Sequence, residues 1–357
     1  IEQLKEMPHC SSMFYNDRSA LLAKSLVELM PKRDDNEDWV VNFVNDGSEA
    51  VDLAIQMAKV YTGRPEVVAL YKGYHGLQGY AAGLTAIGKS TQKCYSSMYS
   101  SIFHTEANNI SQLDNLIKYN TCGEVGAMII ESQQGYGGIY PLDDGYMKNA
   151  FNIINTHGGV TIADEVQSGY GRCGDKFWAF QMKHNDVIPD IVTTAKGMGN
   201  GVGIIGAVIS KKSIADAFSN KMFFNTYSGN PVACTAALNV LKVFEEEDIL
   251  NNCYKQSILF KNKIGLICKE YPEVFKEIRG SGLFLGLEVS GDTIEESITK
   301  TNILQKMLLK KNILIGKGSA MGNVFRIQPP MCITTQSVNK VIDAFREVVF
   351  DYSKSLQ

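Results

Sequence analysis

No apolar run in this chain approaches the roughly 20 residues that a membrane-spanning helix needs, so a protein held by such helices is not expected. There is no surplus of one charge either. Lys and Arg together number 35 against 38 Asp and Glu, a formal net charge of −3. That balance gives no footing for the basic face of a nucleic-acid binder or for attraction to an anionic membrane surface. The cysteines are Cys10, Cys94, Cys122, Cys173, Cys234, Cys253, Cys268 and Cys332. They form no C-x-x-C pair, which argues against a zinc ribbon or a disulfide framework and suits a reducing compartment. The five histidines form no paired motif, so no metal site is expected. The chain opens on Ile1 with no initiator Met and no signal-like segment, so any targeting peptide is expected upstream.

What is present is the composition of a globular protein, 45% hydrophobic and 20% charged over 357 residues, enough for one large or two ordinary domains. Leu21, Leu22, Leu26, Leu29 and Met30 recur at helical spacing up to Pro31. The run Trp39–Val44 reads as a strand and flows into Asn45-Asp46-Gly47-Ser48-Glu49-Ala50, then into a helix with Val51, Ala54, Met57, Ala58 and Tyr61 on one face. A strand, a small-residue turn and a helix start form an anion trap, because the first helical amides are unpaired and the helix dipole favours a phosphate. An ordinary turn capped by Asp46 or Ser48 would have the same sequence. Further strands are expected at Val67–Leu70 and Gly126–Glu131, the first leading to Tyr71-Lys72-Gly73-Tyr74-His75-Gly76, the second to a Gly-rich turn at 133–138. An aromatic between glycines can stack on a planar ring. Residues 77–125 read mainly as loops over a site. A helix is expected around Asp144–Asn155.

Two short runs organise the rest. Gly159–Ala163 ends in Asp164, and Asp190–Ala195 ends in Lys196. Short apolar runs among helices read as buried parallel strands, and open α/β sheets bind ligands outside the carboxyl ends of their strands. An acid and an amine delivered to two such ends suit a cofactor with a ring nitrogen to keep protonated and an aldehyde to condense with an amine, which is pyridoxal 5′-phosphate. Taken singly, each is as readily a cap or a solvated loop residue. The glycines at 197, 199 and 203 do not fit a dinucleotide fingerprint. Beyond them come a strand at Ile204–Ile209, the turn Phe224–Pro231 with Thr226, and a helix Val232–Glu246 opened by Pro231. A charged connector over 244–276 leads to strand Leu283–Val289, helix Thr301–Lys311, strands Ile313–Gly316 and Val324–Ile327, and a helix Ser337–Tyr352. Arg326, between Phe325 and Ile327, needs an anionic partner, either a protein carboxylate or a substrate carboxylate gripped in bidentate fashion.

From Trp39 to its C-terminus the chain resembles the class III, or omega, aminotransferases of the fold-type-I pyridoxal-phosphate superfamily. The likeness rests on Asn45–Ala50, Tyr74-His75-Gly76, Glu131–Gly138, Ala163–Gly174, Thr193–Gly201, Phe224–Pro231 and Phe325–Pro329, in that order. It is nearest to the mitochondrial members that work on alanine and glyoxylate. The resemblance implies an α/β fold, with a large domain at 39–245 around a mostly parallel seven-stranded sheet, a small α/β domain at 246–357, and a partial N-terminal segment at 1–38. It implies that Lys196 bonds to the cofactor aldehyde and then shuttles a proton, while Asp164 pairs with the ring nitrogen. Gln167 would meet the ring 3-oxygen and Tyr74 would stack on the ring, with His75 and Glu131 also at the cofactor. Gly47 and Ser48 would hold the phosphate, Thr226 would reach in from the partner of a homodimer (or of a dimer of dimers), and Arg326 would clamp the α-carboxylate. The expected reaction moves an amino group from alanine or a similar small amino acid to a 2-oxo acid such as glyoxylate or pyruvate. The alternatives are a phospho-lyase acting on a phosphorylated amino alcohol or amino acid, or a relative without activity. Neither nucleic acid nor membrane is an expected partner, and the location implied is mitochondrial, with cytoplasmic as the alternative. Three departures stand out. Asp46 replaces the usual Ser, and Ser132 the usual Pro. Tyr136 replaces the Glu with which relatives acting on γ- or δ-amino groups engage the arginine, leaving Arg326 to an ordinary α-carboxylate.

Overall fold

The computed structural model describes residues 1–88, 100–221, 223–318 and 321–354. Its strands are β1 (Trp39–Val44), β2 (Glu66–Leu70), β3 (Ile102–Thr105), β4 (Val125–Glu131), β5 (Gln133–Gln134), β6 (Tyr140–Pro141), β7 (Val160–Asp164), β8 (Ile191–Thr194), β9 (Gly206–Lys211), β10 (Phe275–Ser281), β11 (Phe284–Val289), β12 (Gly316–Gly318) and β13 (Val324–Ile327). Among the described residues the helices of ten residues or more, numbered along the chain, are α1 (Asp17–Glu28), α2 (Gly47–Thr62), α3 (Ile110–Tyr119), α4 (Tyr146–Thr156), α5 (Pro231–Glu246), α6 (Ile249–Glu270), α7 (Ile294–Lys310) and α8 (Thr335–Lys354).

Two compact units are formed. The larger holds Ile1–Ser132, Leu142–Tyr170 and Trp178–Glu247; the smaller holds Gln133–Pro141, Gly171–Phe177 and Asp248–Gln357. In the larger unit seven strands pair in the order β1-β9-β8-β7-β4-β2-β3. All run parallel except β9, which is antiparallel to both its neighbours. The mostly parallel seven-stranded sheet is thus as expected. Strands β2, β4, β7 and β8 are buried along their whole length, which is why they read as continuous apolar runs rather than as alternating ones. Helix α2 lays Ala50, Val51, Ala54, Met57 and Ala58 into the same core as Val67, Ile129 and Ile162. Each large aliphatic side chain buried there contributes about 1.5–3 kcal/mol.

In the smaller unit four antiparallel strands pair as β10-β11-β13-β12. Their core joins Phe275, Leu285, Leu287 and Phe325 to Phe260, Leu304, Phe345 and Val349 from helices α6, α7 and α8. The β5–β6 hairpin belongs to this unit. Arg279 holds it there by donating from Nε and Nη2 to the carbonyl of Gly138 at 3.0 and 2.8 Å, while pairing with Glu277 and Glu288.

Several boundaries differ from the sequence expectation. The stretch 77–125, read mainly as loop, contains β3 and α3; α3 starts where the Asn109 side chain accepts from the Gln112 amide, a cap. Helix α7 begins one turn or more earlier than Thr301, because Thr293 accepts from the amide of Glu296 while the Glu296 carboxylate accepts from Asp292 N–H. The sequence predicts a strand at Ile313–Gly316; β12 instead forms at Gly316–Gly318, sharing only Gly316 with it and paired to β13, with Leu314 90% exposed. The charged connector resolves into α6 and β10. No helix among the described residues is long and apolar enough to cross a membrane.

Candidate active site

Strands β1, β2, β4, β7 and β8 of the larger unit run the same way, and the residues following them converge on one cavity of about 370 Å³. Its lining includes Asp46, Gly47 and Ser48 after β1, Tyr74 and His75 after β2, Glu131 at the end of β4, Asp164 and Gln167 after β7, and Lys196 after β8. Because β9 runs the other way, its leading residues Gly203, Ile204 and Ile205 close the same edge. The position agrees with the rule that open α/β sheets bind ligands outside the carboxyl ends of their strands.

Asp164 is 4% exposed and heavily constrained. Its Oδ2 lies 2.7 Å from His75 Nδ1. Its Oδ1 accepts from the Val166 amide at 3.1 Å and from Thr193 Oγ1 at 3.3 Å. The neighbouring strand tip carries Glu131, paired in register with Asp164, and Glu131 accepts from the Tyr74 amide at 2.8 Å. Burial alone would lower the His75 pKa, but the hydrogen bond to Asp164 and the charges of Asp164 and Glu131 raise it above its ordinary value. His75 thus holds Asp164 through a short hydrogen bond within the sheet edge.

Next to Asp164 lies Glu165, fully buried and directed away from the cavity. It accepts from Ser132, from Ser168 Oγ at 3.0 Å, and from the amides of Ala179 and Phe180 at 3.0 and 2.9 Å. Burial pushes its carboxyl up to about 7. It ties the loop after β7 to the residue after β4, and so sets where Asp164 and Gln167 leave the sheet.

Lys196 follows β8 with φ +39°, in the left-handed region sparsely used by residues other than Gly. Strain of this kind persists where the surroundings over-determine it, and it clusters at functional sites. The side chain is exposed and lines the cavity. Across the cavity, helix α2 starts at Gly47. Asp46 caps it, Oδ1 accepting from the Glu49 amide at 2.9 Å, and Glu49 accepts in turn from the Asn45 amide at 2.9 Å. The amides of Gly47 and Ser48, which have no partner within a helix, remain at the cavity wall. Gly47 is required there: a Cβ would sit 2.7 Å from Val166 Cγ1.

The donor set fits pyridoxal phosphate. It offers an amine for the aldehyde, a carboxyl group for the ring nitrogen, an aromatic face, and two amides at a helix start for the phosphate. Gly47, Ser48, Tyr74, His75, Glu131, Asp164, Gln167 and Lys196 line the cavity together. Thr226 does not; it stands on an exposed turn between Phe224 and Tyr227. Arg326 belongs to the smaller unit, on β13 beside Gly286 and Gly316. There its guanidinium carbon lies 5.7 Å from the centre of the Tyr136 ring, and Nη2 donates to Gln328 at 3.2 Å. Sequence reasoning passed over Thr193 and Glu165. The only signal for Thr193 was a hydroxyl inside an apolar strand, and the acid after Asp164 was indistinguishable from a solvated turn residue.

The fold and cavity are those of a fold-type-I pyridoxal-phosphate transferase. Within that class the chain belongs to the class III aminotransferases, whose family pattern matches residues 1–349, and it is a pyridoxal-phosphate-dependent transaminase. It is 37% identical to the mitochondrial alanine–glyoxylate aminotransferase 2 homolog 2 of Arabidopsis thaliana, over 99% of this chain and 74% of that protein. It is also 30% identical to the ethanolamine-phosphate phospho-lyase homolog 1 of Caenorhabditis elegans, over 95% of this chain and 78% of that protein. Among solved structures, an aminotransferase of Bacillus anthracis superposes with a TM-score of 0.89 at 25% identity, covering 98% of this chain and 84% of that one.

Proposed function

We propose that this transaminase moves the amino group of alanine, or a similar small amino acid, to a small 2-oxo acid such as glyoxylate or pyruvate. The cofactor supplies an electron sink and carries the amino group between the two half-reactions. What supports the residue roles is one observation above all: a single cavity gathers an amine, a braced carboxylate and a helix start with two unpaired amides. Lys196 would hold the cofactor aldehyde through its amine, and the same amine is the group placed to move the proton at the substrate α-carbon. Asp164, held by His75, Thr193 and the Val166 amide, would keep the proton on the ring nitrogen. Gln167 would donate to the ring 3-oxygen, Tyr74 would cover one face, and the amides of Gly47 and Ser48 would receive the phosphate.

Arg326 takes the α-carboxylate of amino acid and oxo acid alike. Tyr136 supports the choice of small substrates, since an aromatic ring over the guanidinium offers no competing carboxylate. The enzyme works as a homodimer in which Thr226 completes the partner's phosphate site, a role compatible with its exposed turn. We place it in the mitochondrion, following the relative in Arabidopsis thaliana; a cytoplasmic location is the alternative. The likeness to a phospho-lyase homolog keeps a second reading, elimination of phosphate from a phosphorylated amino alcohol. Half-reactions separate the two. Alanine should bleach the absorbance of the loaded enzyme and release pyruvate, and glyoxylate should restore the colour. Release of inorganic phosphate from phosphoethanolamine, with no response to alanine, would replace the proposal by the lyase. Lys196→Ala should lose both turnover, by at least about 10³-fold, and the borohydride-reducible bond between protein and cofactor. A reducible bond persisting in that variant would remove Lys196 from its role.

A further inference from the structure

The phosphate end of the cavity carries a group that works against an anion. Asp46 lines the cavity beside Gly47 and Ser48, and its carboxylate is the N-cap of α2. Its Oδ1 takes the amide of Glu49 at 2.9 Å, and the Asp46 carbonyl takes that of Ala50 at 3.1 Å. The capping bond turns the carboxylate toward the helix start but leaves its charge there. It also uses one of the amides that an incoming phosphate would otherwise claim. Glu49 adds a second acid to the same turn, but its charge is spread over the Asn45 amide and the side chains of Asn45 and Asn225.

We infer that Asp46 is a built-in negative charge that loosens the hold on the cofactor's phosphate, so that the loaded fraction of the enzyme follows cofactor supply. The inference rests on the cofactor assignment proposed above. A phosphate dianion next to a carboxylate is disfavoured by Coulomb repulsion, softened because Asp46 is exposed before the cofactor arrives. The charge, rather than the cap, is what matters. Asn caps a helix as well as Asp does, so Asp46→Asn removes the repulsion and keeps the hydrogen bond to Glu49.

The test is equilibrium titration of apo-enzyme with pyridoxal phosphate, read by absorbance and by the thermal midpoint of apo and loaded forms. Asp46→Asn should bind the cofactor about tenfold more tightly, on the order of 1.4 kcal/mol, with an apo midpoint close to that of the parent. The advantage should shrink as ionic strength rises, since salt screens a repulsion between exposed charges. Asp46→Ser, which also caps, should tighten binding in the same direction. Equal or weaker binding by both variants, with the parent still binding normally, would overturn this role for Asp46 and leave the cofactor assignment standing. Failure of parent and variants alike to bind pyridoxal phosphate would remove both.

Discussion

At the scale of single residues, the site depends on how carboxylates are surrounded. Asp164 and Glu165 are adjacent in sequence and opposite in task. Asp164 faces the cavity and is braced by a histidine whose pKa is raised. Glu165 faces the interior, and burial pushes it up to about 7 from an ordinary 4.5. Between those two values the folded chain holds a proton on Glu165 that the unfolded chain has released. The contribution of this residue to stability is therefore full below about pH 4.5 and is lost as pH rises through about 7. Glu165→Gln should flatten that part of the stability-against-pH curve. It should also cost about 1–3 kcal/mol, since each carboxylate oxygen accepts two bonds and an amide would replace one of those oxygens by an NH2 group facing two of the four donors. Denaturant melts of parent and variant at several pH values between 4 and 8 measure both effects; parallel curves would mean that Glu165 does not titrate in this window.

At the scale of elements, strands deliver and glycines permit. Strand β12 passes so close to Arg326 that a Cβ on Gly318 would lie 2.7 Å from Arg326 Cδ and 2.9 Å from Cγ. Gly318→Ala must move the arginine off its present path. If Arg326 is the carboxylate clamp, KM for both amino acid and oxo acid should rise about tenfold, with kcat changed less and the thermal midpoint little altered. Steady-state kinetics decide it, and an unchanged KM would argue against the clamp. Strand ends were legible in the sequence because β2, β4, β7 and β8 are buried on both faces and so read as unbroken apolar runs. The strand β12 was not, because apolar character pointed to Ile313–Gly316, whereas the edge position is fixed by pairing with β13 at Gly316–Gly318. Helix α3 and strand β3 escaped notice for separate reasons. Strand β3 is a four-residue edge strand paired only with β2, too short to carry a pattern of its own; α3 does carry one, Ile110, Leu113, Leu116 and Ile117 at helical spacing, masked by the polar stretches on either side.

At the scale of the whole molecule, the larger unit displays apolar side chains with no cover in a single chain: Phe224 at 53%, Tyr227 at 64%, Val202 at 82% and Ile204 at 79% exposed. Exposed apolar groups flanking Thr226 and the cavity edge support the proposed homodimer. Sedimentation should give a mass near twice 39.4 kDa. Replacing Phe224 and Tyr227 by Asp should yield monomers whose cofactor affinity and activity fall at least about tenfold, because each site then loses the partner's Thr226. A fully active monomer would refute the dimer requirement. The sequence by itself pointed to the cofactor chemistry and the kind of sheet, because buried strands read as unbroken apolar runs and because an amine and an acid at their ends stand in an ordered series of motifs from Asn45 to Pro329, although neither residue alone has a fixed meaning. Tertiary structure alone decided which groups brace them. The bond from His75 to Asp164 spans 89 positions and that from Thr193 spans 29. Contacts of that separation arise only when parallel strands, joined through helices, bring their ends to one edge.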